Sequence, residues 1–278
     1  MLIPTPIGNL ADMTYRAVAA LKAADLVLCE DTRSSARLLS HFGVTTRTAP
    51  LHEHNEDARI HAVLDMLRAG KRVALISDAG TPLVSDPGFR LVRAAVAEGL
   101  PVGGLPGANA ALLALTLSGL PPQPFLFLGF PPPKQAGRLV AFAGVRAAER
   151  AGLRATLVWY EAPHRLAATL VDLAQALGDR PAAVARELTK RFEEVRRGML
   201  SELAAHYAEH AARGEITVVV GPAPAEATDE NDLEARLLAA LDGHSVKEAV
   251  AMVTAATGLP RKLVYARALA IGGGHGAA

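Results

Sequence analysis

Short apolar runs that each break into a loop of small, turn-forming and acidic residues constrain this chain more than any other feature. ALISDAGTPLVSDPG, at 74–88, is the clearest case. Val73, Ala74, Leu75 and Ile76 form the kind of run that a strand buried on both faces requires. Ser77, Asp78, Ala79, Gly80, Thr81 and Pro82 then bring the backbone into the open at the strand's carboxyl end, where ligands bind in open α/β sheets. Gly80 lets a ligand approach the main chain, and Asp78 can accept hydrogen bonds from a hydroxyl or an amine. Pro87 and Gly88 lead into the helix FRLVRAAVAEG. Taken singly, such a loop serves equally well as a tight connection with no ligand, so its companions decide the matter.

Further apolar runs at 25–29, 101–105, 125–128, 155–160, 182–186 and 216–220 predict strands. Helical periodicity at 14–23, 56–69, 89–98, 109–119, 164–177 and 201–212 fills the intervals. The alternation predicts an α/β fold with largely parallel sheets. The Pro-rich break PPQP at 121–124 divides it into two α/β lobes, 1–120 and 121–222, with a ligand cleft between them. A polar linker at 223–231 leads to a helical segment at 232–272 and a Gly-rich tail at 273–278, expected to be disordered. In 245–271 two helices flank a turn at Gly258, Leu259 and Pro260. Ala249, Val250, Val253, Ala256, Val264 and Leu269 form the expected apolar face. The pattern is that of a small helix-turn-helix, whose second helix contacts either nucleic acid or protein.

Exclusions follow from composition and motifs. With 278 residues, half of them hydrophobic, the chain can bury a large core. The single cysteine, Cys29, rules out an internal disulfide and any cysteine-based zinc cluster. It ends the apolar run LVLC, so a buried structural thiol is expected. The N-terminus has no signal-peptide pattern, and no apolar stretch approaches the ~20 residues that span a bilayer, so a cytoplasmic protein is expected. A net charge of +1 does not by itself point to nucleic acid. No G-x-G-x-x-G, P-loop, H-E-x-x-H or G-x-S-x-G occurs, which disfavours NAD enzymes, P-loop NTPases, zincins and α/β-hydrolases. HEHNE at 52–56 has two histidines but no third ligand at a metal-site spacing, so no metal is expected. His52, His54 and Asn55 are expected on a rim, facing RNA or a partner subunit.

What remains is a set of polar loops at predicted strand ends: TPIGNL at 5–10, EDTRSS at 30–35, SDAGTP at 77–82, LPGANAA at 105–111, YEAPHR at 160–165 and RELTKRFEE at 186–194. Such crowding predicts an enzyme. TPIGNLADMTYRA, CEDTR and SDAGTPLVSDPG, followed by LPG, GFPPPK, YEAPHRL and RELTKRFEEVRRG, resemble the tetrapyrrole methylase superfamily. Within it they most resemble the bacterial small-subunit ribosomal RNA methyltransferase I branch. The likeness runs in order through about residues 2–221. It implies two α/β lobes with S-adenosylmethionine (SAM) in the cleft between them, and a homodimer. It also implies 2′-O-methylation of a cytidine in the decoding region of small-subunit (16S) ribosomal RNA. Two departures stand out: only Leu2 and Ile3 precede the first loop, and Ala108-Asn109 follow LPG where relatives have proline and a small residue. Asn109 is expected to cap the next helix.

By resemblance and by residue type, Ser77 to Pro82 would hold the amino-acid and ribose end of SAM. Pro106, Gly107, Ala110 and Ala111 would line the floor, and Leu188, Gly214 and Glu215 would reach the adenine from the second lobe. Methyl transfer to a ribose hydroxyl also needs a proton acceptor. Glu30 and Asp31 beside Arg33 are the first choice as catalytic or substrate-positioning residues, ahead of Glu161 with His164, and Glu187. For each, a salt bridge or helix cap is the alternative role. Lys134 and Arg138, Lys190 and Arg191, and Arg196 and Arg197 are candidates to hold RNA, as free strand or in the assembled 30S subunit; a solvated surface charge is the alternative. Two other functions fit the residues: a methyltransferase acting on a tetrapyrrole-like small molecule, and a non-catalytic RNA-binding protein that kept the fold.

Overall fold

The computed structural model describes residues 1–52, 56–224, 230–257 and 259–273. The chain forms two compact units, residues 1–143 with 155–221, and residues 144–154 with 222–278. In the larger unit the first sheet has the order β2-β1-β3, built from β1 (Leu26–Cys29), β2 (Thr48–Pro50) and β3 (Val73–Leu75), with all pairings parallel. Side chains along β1 alternate between two cores. Val27 and Cys29 pack with Leu21 of α1 (Tyr15–Ala23) and Leu39 of α2 (Thr32–His41). Leu26 and Leu28 pack with Val63 of α3 (Glu56–Arg68) and Leu91 of α4 (Phe89–Ala97). Burial on both faces is what the unbroken apolar runs require. Cys29 is buried as expected, and burial pushes its thiol pKa up, toward the unreactive protonated form.

The run at 101–105 does not form a strand. It makes one bridge, Leu2 to Gly104, beside a first segment of equally few residues. Two adjacent glycines supply no side chains to pack there, which weakens a strand.

α5 (Ala110–Ser118), capped by Asn109 as expected, leads to the second sheet. Its order is β4-β5-β8-β6-β7: β4 (Phe125–Phe127), β5 (Thr156–Glu161), β8 (Ile216–Val220), β6 (Pro181–Arg186) and β7 (Glu194–Met199). Only β4 and β5 run parallel, and the other three pairings are antiparallel, so the expectation of parallel sheets holds for the first lobe alone. α5 lays Ala111, Ala114 and Leu115 on Val158, Ala183, Ala185 and Val219, with Ile7 in the same cluster. α6 (Gln135–Arg150), α7 (Leu166–Leu177) and α8 (Leu200–Glu209) complete the helices around this sheet's part of the chain. α7 packs against α8.

In the smaller unit, α9 (Glu230–Leu241), α10 (Val246–Thr257) and α11 (Arg261–Gly273) share a core of Leu233, Leu237, Val250, Val253, Val264 and Ala268. Ser245 and Glu248 form a reciprocal cap at the start of α10. Ala256 and Leu269 differ from expectation: both are exposed, and Ala268 takes the inward position on α11. Gly258, most of the expected linker and the tail from 274 lie outside the described residues.

Candidate functional site

Loops from both lobes of the larger unit enclose a cavity of about 360 Å³. Its first wall is the loop after β3. Thr5 and Gly80 exchange both backbone hydrogen bonds, Thr5 Oγ1 donates to the Ser77 carbonyl, Ser77 Oγ donates to the Gly80 carbonyl, and Thr81 Oγ1 donates to the Ala108 carbonyl. Gly80 has φ +83°, a conformation that glycine adopts without strain. This bracing fixes the loop and leaves Asp78 and Ala79 exposed toward the cavity.

The second lobe supplies Ala185, Leu188, Ile216 and Thr217, with Gly214 and Glu215 at the mouth. Gly214 sits at φ +82°, and a Cβ there would overlap the Glu187 carboxylate. That carboxylate accepts from Lys190 Nζ at 2.8 Å and from the Glu215 amide at 3.0 Å, which holds its pKa below the usual carboxylate range. Lys190 is bound in turn to Glu215 at 3.0 Å.

Four carboxylates line the cavity: Asp78, Asp86, Glu161 and Glu215. Glu161 is buried, paired with Arg165, and accepts from Thr169 Oγ1 at 2.6 Å and the Ala162 amide at 2.7 Å. Burial raises the pKa of Asp78, while the Asp31 amide, 3.4 Å away, opposes the rise. Asp86 is raised to about 6, first by burial and then by the nearby charges of Glu30 and Asp78, with the Ser77 hydroxyl opposing. Tyr160, also in the lining, is pushed up by burial and by Asp86 among other charges.

Of the residues expected to hold SAM, the cavity brings together Asp78, Ala79, Gly80, Thr81, Ala110, Leu188, Gly214 and Glu215. Ser77, Pro82 and Ala111 are buried behind the lining, and Pro106 and Gly107 are exposed outside it. Glu30, Asp31 and Arg33 are exposed and lie outside the lining as well; Asp31 caps α2 by accepting from the Arg33 amide at 2.8 Å. Arg138 requires a correction: it is buried, not presented to RNA, and binds the fully buried Asp172 through Nε at 2.8 Å and Nη2 at 2.7 Å. Lys134 is exposed, Lys190 is committed to its two glutamates, and exposed Arg196 pairs with Glu194. His52 is half-buried, and its carbonyl accepts from Glu56. His54 lies outside the described residues.

The sequence reading missed Asp86, Phe130 and Tyr160 as lining residues. Asp86 belongs to SDPG, already singled out as part of the motif, which was the available signal. Among the described residues no group of three histidine, cysteine or acidic side chains could hold a metal ion, and no helix is long and apolar enough to cross a membrane.

The profile of the family described as "Tetrapyrrole (Corrin/Porphyrin) Methylases" matches residues 1–204, and that of the "RsmI C-terminal HTH domain" matches residues 227–272. A protein named ribosomal RNA small subunit methyltransferase I, from Micromonospora olivasterospora, is 47% identical over 95% of this chain and 84% of its own length. A protein of the same name from Mesorhizobium japonicum is 47% identical over 96% of this chain and 90% of its own. Among solved structures, a diphthine synthase superposes with a TM-score of 0.59 at 16% identity, covering 79% of this chain and 88% of that one. At that identity the likeness is one of fold alone.

Proposed function

This chain belongs to the tetrapyrrole methylase family, and we propose that it transfers the methyl group of SAM to a cytidine 2′-hydroxyl in the decoding region of small-subunit ribosomal RNA. The observation that carries this reading is the near full-length likeness to ribosomal RNA small subunit methyltransferases, which extends through the C-terminal helical unit. A cytoplasmic location, where small subunits are assembled, and a homodimeric state belong to the same proposal.

The donor set of the cavity suits SAM. Asp78 and Glu215 offer acceptors for an ammonium group and ribose hydroxyls, and the exposed turn at Asp78 and Ala79 offers main-chain amides. Ile7, Ala110, Ala185, Leu188 and Ile216 provide apolar walls for a flat aromatic ring. When bound there, SAM supplies an electrophilic methyl group on a sulfonium. The protein's part is chiefly positioning. The braced Ser77–Thr81 loop and the Glu187–Gly214 contact hold opposite walls in place, and well-oriented reactants gain effective molarities of about 10⁵ M or more.

Incubation with tritiated SAM and isolated small subunits, naked small-subunit RNA or a tetrapyrrole precursor tests this function. Label is expected in RNA. Label in the tetrapyrrole, or in none of the three despite SAM binding, would overturn the reading.

A further inference from the structure

Three of the four cavity carboxylates are already engaged. Glu161 is neutralised by Arg165 and held by two hydrogen bonds, and Glu215 is paired with Lys190. Asp78 is exposed and accepts from the amide of Asp31, the residue that caps α2. Asp86 alone of the four has neither a cationic partner nor a backbone donor among the described residues. It is half-buried at the cavity wall, within a segment whose backbone is strained: Leu83 and Ser85 sit at φ +70° and +67°, where side-chain-bearing residues are uncommon. Such strain persists where the surroundings over-determine a conformation, and it clusters at functional sites. Gly129 of the second lobe lies beside this segment: a Cβ there would stand 3.5 Å from the Ser85 hydroxyl. Phe130, 55% exposed, follows directly and packs on Tyr160, whose ring stands 5.5 Å away, so an aromatic wall lines the cavity with Asp86.

We propose that Asp86 is the general base, receiving the ribose hydroxyl proton while the nucleoside rests against the Phe130–Tyr160 wall. This rests on the ribosomal RNA reading above. The ribose oxygen forms the new bond to the methyl carbon, and the carbon–sulfur bond breaks with its electron pair returning to sulfur. The hydroxyl proton passes to a carboxylate oxygen of Asp86 and leaves to water after product release. The charged and titratable groups that face Asp86 are Glu30 from the end of β1, Asp78 from the loop after β3, and Tyr160 from β5, with the neutral Ser77 hydroxyl beside them. Two like charges and partial burial hold its proton affinity near the range in which a base works at neutral pH.

The test uses the intact protein, SAM and isolated small subunits. For Asp86→Asn, kcat is expected to fall about 10²- to 10⁴-fold, with SAM affinity by calorimetry near wild type and a thermal midpoint no lower than wild type. In the wild type, kcat/KM should climb with pH through about 6 and level off, and carbon NMR of the Asp86 carboxyl in the SAM-free protein should titrate over the same interval. Glu30→Gln should move both midpoints down by removing a like charge, which a merely structural role for Asp86 would not produce. A kcat within threefold of wild type in Asp86→Asn, or an unmoved midpoint in Glu30→Gln, would overturn the proposal. Failure of the wild type to bind SAM or to label RNA would instead strike the functional reading itself.

Discussion

Thr5 and Gly80 hold each other by two main-chain hydrogen bonds, 2.9 Å from the Thr5 amide and 3.0 Å from the Gly80 amide. This reciprocal pair ties the TPIGNL loop to the SDAGTP loop across 74 intervening positions, so two separate sequence motifs become one wall of the cavity. Gly80 allows it because the position needs φ +83° and close packing against Ile7.

Gly80→Ala should therefore weaken SAM binding at least tenfold. A left-handed alanine costs about 1–2 kcal/mol, and its Cβ would lie 3.2 Å from Ile7 Cγ2. Calorimetric titration beside a thermal melt checks this. Unchanged affinity in a folded variant would remove the loop from the cofactor site.

Asp172→Ala should destabilise the protein by about 3–5 kcal/mol, because it leaves the Arg138 guanidinium buried without its partner. Urea denaturation measures the loss. A variant as stable as wild type would show that the buried Arg138–Asp172 pair contributes no net stability.

The raised Asp86 pKa also predicts a stability effect with a definite sign. Between pH about 4, where an unfolded aspartate titrates, and pH about 6, the native state holds a proton that the unfolded chain has released. The Asp86 contribution to stability is thus fully present below that window and is lost as pH rises through it. Asp86→Asn should gain stability relative to wild type on going from pH 4.5 to pH 7, as read by urea denaturation at both values. A constant difference between the two proteins would contradict the shift.

Much of this architecture was legible where a local signal exists. The run ITVVV maps onto β8 residue for residue, because a strand buried on both faces is continuously apolar. β7 was hidden inside a charged loop motif. As an edge strand, pairing only with β6, it carries Arg196 and Arg197 in the open and shows no apolar run. Cavity-lining loops stood out by their small and turn-forming residues. Arg138 did not, since Asp172 lies 34 positions away and only the packing of α6 and α7 makes them partners. Asp86 was missed for a similar reason: beside Ser77 and Asp78 of its own motif, its environment includes Glu30 after β1 and Tyr160 of β5, both far away in sequence.

Nucleoside mass spectrometry of unmethylated small subunits treated with the protein and SAM tests the central claim most directly. The account predicts one new 2′-O-methylcytidine per subunit, absent when SAM is omitted. A methyl group on a base, or no methylated nucleoside while SAM is bound, would contradict it.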